Sequence, residues 1–309
     1  MNRRTRTRRT GAAFRRALVI TALVPSFFVA AVADAQERPS LDSLLEIVNS
    51  NGGESWITTS PDGRIALFGR HDSGWGSHTV WQSEFRDGGW TGPEVASFSG
   101  TYSDRGARFG PGGETVIFSS DRPRSSGSDS GDFNLWTTGY EDTGWSGPRL
   151  VAGVNSNAPD WHASITLQGV LYFASRRPGG RGNSDLYRAV PGADGYEVLL
   201  MPERISTGYS ESDVYVDPDD RYIVFARTDA LDGNGGDDLY VSFKEGDTWS
   251  APEHLPGDVN SGEYEYGAWV DGCTGRLFFT THRTRQADLK SVEASALGLS
   301  RSLPLTCAR

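Results

Sequence analysis

The stretch ESWITTSPDGRIALFGR, residues 54–70, sets the pattern of the whole chain. A mixed polar and apolar strand runs into the turn Ser60-Pro61-Asp62-Gly63, and an apolar strand ending in Phe68 leaves it. The same plan returns four times. It recurs around Gly110-Pro111-Gly112-Gly113 before Phe118, Thr166-Leu167-Gln168-Gly169 before Phe173, and Asp217-Pro218-Asp219-Asp220 before Phe225. The fifth copy is an expanded turn, Asp271-Gly272-Cys273-Thr274-Gly275, before Phe279. A repeat of fifty-odd residues is the mark of an array that buries its core between neighbours.

Each copy continues into a third strand: HTVWQSEF, FNLWTTGY, SDLYRAV, DDLYVSF and ADLKSVE. Four of these end in tight turns such as Asp87-Gly88-Gly89 and Glu245-Gly246-Asp247, which suit positive φ and so predict hairpins. Three outer strands open on Trp90-Thr91-Gly92-Pro93, Trp145-Ser146-Gly147-Pro148 and Trp249-Ser250-Ala251-Pro252. Proline is tolerated there because an outermost strand loses no ladder donor. Each unit thus reads as a four-stranded antiparallel meander, too small to stand alone, and radial repetition gives an all-β, five-bladed β-propeller. The units are 54–103, 104–159, 160–210, 211–264 and 265–292. The joints LVAGVNSNAPDW (150–161) and LPGDVNSGEYEYGAW (255–269) share their text with LLEIVNSNGGESW (44–56). Residues 44–53 are therefore expected to supply the fourth strand of the last blade and close the ring. A sixth blade from 290–309 is the alternative, with too few residues for four strands.

The composition agrees. Of 309 residues, 38 are glycine and nine tryptophan, lysine and methionine occur twice each, and helical periodicity is lacking after the first fifty residues. The N-terminus is a different text. Seven arginines between Arg3 and Arg16 precede an apolar run, Ala17 to Ala33, and Ala33-Asp34-Ala35 offers a cleavage site, the pattern of a secretory signal peptide over 1–35. One domain, 36–309, is expected in the periplasm or outside the cell, with no stable membrane insertion after cleavage. Without the leader's arginines and Asp34 the chain has 23 basic and 39 acidic residues, a net charge of −16, which repels nucleic acid and anionic lipid. Cys273 and Cys307 are the only cysteines, and in an exported chain they suggest one disulfide.

The Ser-Pro-Asp-Gly turn, the strand ending in Phe and the Asp-Leu-Tyr strand resemble the WD-like Pro-Asp repeat of TolB-type periplasmic propellers. The resemblance spans about 44–292. It implies a binding platform in the cell envelope, whose partner is a protein, a peptide or a glycan. The third unit, lacking the tryptophan, and the fifth, with Cys273 in its turn, depart from the pattern.

Five acids recur at one repeat position, Glu54, Asp104, Asp160, Glu211 and Glu265, each opening a first strand. They are expected to ring one mouth of the central channel. Oxygen ligands of that kind suit a hard cation or a polar ligand, whereas an inherited hydrogen bond to a neighbouring turn is the plainer reading. Arg70, Arg122, Arg177, Arg227 and Arg283 follow the second strands, and pairs with the acids across blades would neutralise the ring. Trp161 and His162 beside Asp160 form the one cluster that could grip a ligand or act as a base. Asp232, Asn234, Asp237 and Asp238 offer calcium-type oxygens at a spacing that does not fit a calcium loop, so turn chemistry is expected there. Neither a metal nor a cofactor is expected. No nucleophile elbow, zinc helix or phosphate loop is present. The leading expectation is a non-catalytic binding or scaffold module. The alternative is a glycoside-active enzyme using two carboxylates of the funnel, which would need asymmetric surroundings to separate their pKa values.

Overall fold

In the computed structural model, residues 39–49, 53–71, 76–125, 131–141, 144–284 and 286–299 are described. The expected signal peptide, 1–35, and Cys307 lie outside them. Five antiparallel sheets follow one another along the compact unit Glu37–Arg309 and make a five-bladed β-propeller. The inner strands are Glu54–Thr59, Asp104–Phe109, Asp160–Ile165, Ser210–Val216 and Glu265–Asp271. Each hairpin to the second strand turns where expected. Gly63, Gly113, Gly169, Asp220 and Gly275 all take positive φ, and each donates its N–H back across the turn. The phenylalanines that end the second strands are completely enclosed between blades.

The outer strands differ for a local reason. In blades one, two and four the outer strand is split, as Gly89–Trp90 with Glu94–Val95, Gly144–Trp145 with Arg149–Leu150, and Thr248–Trp249 with Glu253–His254. The Trp-x-x-Pro motif sits at the split, where proline cannot donate. Thr91, Ser146 and Ser250 bridge it, each hydroxyl accepting a third-strand N–H, from Glu84, Gly139 and Phe243. Blade three lacks the motif, and its outer strand Gly195–Leu200 is continuous.

The last blade corrects one expectation. It has three strands, Glu265–Asp271, Arg276–Thr281 and Asp288–Glu293, and residues 44–48 do not form a fourth. The segment Leu41–Val48 is an α-helix that buries Leu41, Leu44 and Val48 along one side. The spacing of those three is helical, so one stripe of the helix can be apolar and the other wet. The ring nevertheless closes at the expected seam. Asn49 donates to the carbonyl of Leu289 and accepts its N–H, both at 2.9 Å. Asn155 makes the same double contact with Leu135 in blade two, and Asn260 with Leu239 in blade four. Glu54 N–H donates to Ala287 at 3.0 Å, as Asp160 does to Phe133 and Glu211 to Ser184 inside the ring. Trp90 of the first blade holds the helix start through a 3.0 Å bond to the Ser40 carbonyl.

Candidate functional site

The five recurrent acids do not ring an open mouth. Glu54, Asp104, Asp160, Glu211 and Glu265 have no exposed surface, and each faces an arginine of its own blade rather than of a neighbour. Two arrangements of acid and arginine occur. Glu54 and Glu211 pair with arginines directly opposite in the strand register, Arg70 at 3.0 Å and Arg227 at 3.1 Å. The shorter Asp104 and Asp160 stand opposite Ser120 and Ser175, and an arginine two residues on, Arg122 or Arg177, reaches back to 2.7 Å. Glu265 combines a long side chain with the second arrangement, opposite Thr281, and Arg283 stays at 3.7 Å.

The same arginines donate to carbonyls of the incoming joint: Val48, Phe98, Val154, Ile205 and Val259. Four of the acids accept from that joint as well, from Ser99, Ser156, Thr207 and Ser261. Each set is a clasp that fastens a joint to its blade. Burial raises the pKa of Asp104 and Glu211, against the pull of their hydrogen bonds and arginines. The arginines thus meet the charge of the acids within each blade.

The axis is built two residues later. Trp56, Gly106, His162, Asp213 and Gly267 occupy equivalent positions, and all five have positive φ, between 50 and 65°. The inner ladders are interrupted there in every blade. This turns the five residues toward one another. The Trp56 indole N–H donates to Asp213 Oδ1, and His162 Nδ1 lies 3.0 Å from Asp213 Oδ2. The Trp56 and His162 rings are 5.1 Å apart. Blade one is not adjacent to blades three or four, so these contacts cross the axis and plug it. The glycines make the room. A Cβ on Gly106 would stand 2.9 Å from the His162 ring, and one on Gly267 would stand 2.7 Å from Trp56. Burial opposes the charge of Asp213, but His162, Trp56 and Ser212 outweigh it and hold its pKa below the usual carboxylate value.

On the acid side of the plug lie Ser55, Arg105, Trp161, Ser212 and Tyr266, one residue after each clasp acid. Tyr266 Oη is 3.0 Å from Ser55 Oγ and 3.3 Å from His282 Nε2. Arg176 stacks over Trp161 at 5.1 Å and Arg105 over Phe133 at 3.7 Å. Burial lowers the Arg105 pKa to about 10, although Asp213 and Asp121 support its charge. Asp237, at the start of the third strand of blade four, is pushed up to about 6, first by burial and then by Asp213, Asp229 and Asp238. Sequence reasoning found Trp161 and His162, read Asp237 only as turn chemistry, and missed Arg105 and Asp213. The offset of two from each acid was visible, but nothing in the letters Trp, His and Asp signals positive φ.

On the turn side, Arg108 spans the axis from blade two, donating to the carbonyl of Ala268 at 2.6 Å in blade five. Burial lowers its pKa to about 10. Beyond it opens a cavity of about 420 Å³ whose walls include Pro61, Phe109, Leu167, Pro218 and Trp269. Cys273 also lines it, in a turn anchored on Asp271, while its expected partner Cys307 is outside the described residues. The glycine-rich loop of blade four is turn chemistry. Asp238 accepts the N–H groups of Asn234 and Gly235, Asp237 accepts from Thr228, and Asp232 accepts from Tyr240. Among the described residues no group of three or more His, Cys, Asp or Glu could hold a metal, and no helix is long and apolar enough to cross a membrane.

No protein-family model matches the chain, and no curated protein does. Solved structures do. One described as a glycoside hydrolase matches over 78% of this chain and 87% of its own, with a TM-score of 0.53 and 8% identity. A BT0996 RGII complex gives 0.52 and 9%, over 78% and 86%. A Mycobacterium tuberculosis puromycin-hydrolyzing peptidase gives 0.43 and 14%, over 74% of this chain, which spans only 34% of that peptidase. The first two likenesses define the class as a β-propeller, and at such identities they carry the fold alone.

Proposed function

We propose that this chain is an exported, non-catalytic propeller of the TolB-like type, which recognises a protein, peptide or glycan of the cell envelope on its acid-side face. One observation carries the reading. Every recurrent carboxylate is spent in a buried clasp, and the axis behind them is plugged by Trp56, Asp213 and His162. That leaves a polar and aromatic platform, with the recurrent carboxylates withdrawn from it. The test is a pull-down from envelope extract with a glycan array alongside. Retention of a defined partner, lost when Trp161 is replaced by alanine, supports the platform. Turnover of a glycoside without stable retention refutes it. Export belongs to the same reading, and the mature protein should begin at or near Gln36 by mass spectrometry.

A second reading, a glycoside-active enzyme, is favoured by one specific pair. Asp213 is held low while Asp237 is pushed up to about 6, in part by the charge of Asp213. Carboxyls displaced in opposite directions are the signature of an acid and its charged partner. Hydrolysis of aryl glycosides that Asp237→Asn abolishes, with folding intact, would establish it.

A further inference from the structure

Arg105 is the group at the acid-side mouth that the fold leaves unused. Its guanidinium makes no hydrogen bond or ion pair with any described residue, and Nε is buried without an acceptor. The clasp arginines are each fixed by a carboxylate and a joint carbonyl, so Arg105 stands apart from them. The acids nearest in charge are already engaged: Asp213 by Trp56 and His162, and Asp121 by the Ser103 N–H. Phe133 supports the plane of the guanidinium at 3.7 Å, which holds its donor edge in one orientation. Arg105 is half-buried, with its Nε enclosed and unmatched, and a ligand carboxylate reaching the guanidinium would form a bidentate pair with it. In the next blade, at the equivalent position, stands Trp161, backed by Arg176 at 5.1 Å.

We infer that Arg105 and Trp161 form a seat for a carboxylate-bearing sugar, a uronic acid residue of a glycan, with the carboxylate on the guanidinium and the sugar ring against the indole. This rests on the platform reading and names its ligand. A single negative charge suits the seat better than a phosphate. Asp121 and Asp213 act on Arg105, and they repel the doubled charge of a phosphate monoester more than the single charge that each uronic acid unit carries. Arginine also presents the planar fork that a carboxylate matches, and a desolvated fork discriminates sharply against a ligand lacking the charge.

The test uses tetragalacturonate and its fully methyl-esterified form, titrated calorimetrically into the mature protein. The acid should bind at least tenfold more tightly than the ester. Arg105→Gln should erase that difference, and Arg105→Lys should restore part of it. Circular dichroism of each variant confirms folding, and should Arg105→Gln fail to fold, the acid and ester comparison on the native chain with Arg105→Lys decides. Equal binding of acid and ester, no binding of the acid, or an undiminished preference in a folded Arg105→Gln protein each overturns the seat. If tetragalacturonate is ignored but the envelope pull-down still retains a partner, the seat falls and the platform stands. If nothing is retained, both fall.

Discussion

Replacing Asn49 by alanine tests how the ring is shut. The Asn49 amide makes two 2.9 Å bonds to the main chain of Leu289, a residue 240 positions away and buried. Its removal leaves one N–H and one C=O of the last third strand without partners. A buried group orphaned in this way costs about 1–3 kcal/mol, and a typical internal hydrogen bond contributes about 1 kcal/mol. With some relief from water at the seam, the expected loss is about 2–4 kcal/mol. For a domain of this size each kcal/mol moves the melting temperature by about 2–4 °C, so Asn49→Ala should melt about 4–16 °C lower. Asn155→Ala and Asn260→Ala break the same contact within the continuous chain, and the three losses should be alike. Thermal unfolding followed by tryptophan fluorescence measures all three. Amide exchange adds a local reading, since the N–H of Leu289 should lose protection in Asn49→Ala and keep it in Asn155→Ala. If Asn49→Ala melts like the native protein while Asn155→Ala does not, the seam is not closed by this amide and the reasoning is refuted.

Five further outcomes are expected. Asp104→Asn leaves Arg122 buried without its charge partner and should destabilise by about 3–5 kcal/mol; calcium should leave the melting temperature of the native protein unchanged, since the clasps occupy all five acids. Asp237 binds its proton more tightly when folded, with a pKa of about 6 against an ordinary 3.8, so its stabilisation is complete below about pH 4 and lost as pH rises through 6. Asp237→Asn should therefore flatten that part of the stability profile and raise the melting point at pH 7. Gly267→Ala drives a Cβ to 2.7 Å from Trp56 at a positive φ and should cost about 1–3 kcal/mol, read as a shifted tryptophan emission and an earlier melt. Cys273 and Cys307 should be inaccessible to thiol reagent until reduction, and two titratable thiols in the unreduced exported protein would rule out the proposed bridge.

The blades were legible because their turns, core phenylalanines and Trp-x-x-Pro motifs each answer to local chemistry. The seam was half legible. Val48-Asn49-Ser50 matches the internal joints because the asparagine clasp is inherited there, and that clasp does not require a strand before it. Leu41, Leu44 and Val48 carry a helical spacing that the match to the joints overrode. The arginines were visible, but their partners were misassigned to neighbouring blades, since the sequence does not show that each reaches back along its own hairpin. The axial plug was not legible. Trp56, His162 and Asp213 meet only because blades far apart in sequence converge, and the space they fill is set by glycines in two other blades.

The plug also bears on how such a ring can diverge. The clasps are near copies, so a duplicated or recombined blade would seat at its joint almost anywhere in the ring. The axis allows no such exchange. A second tryptophan in place of Gly267 would collide with Trp56, and a blade carrying glycine in place of Asp213 would strip both the indole and the imidazole of their shared acceptor. With those residues in place the blades are not interchangeable parts, and a handful of side chains at the centre fixes their order.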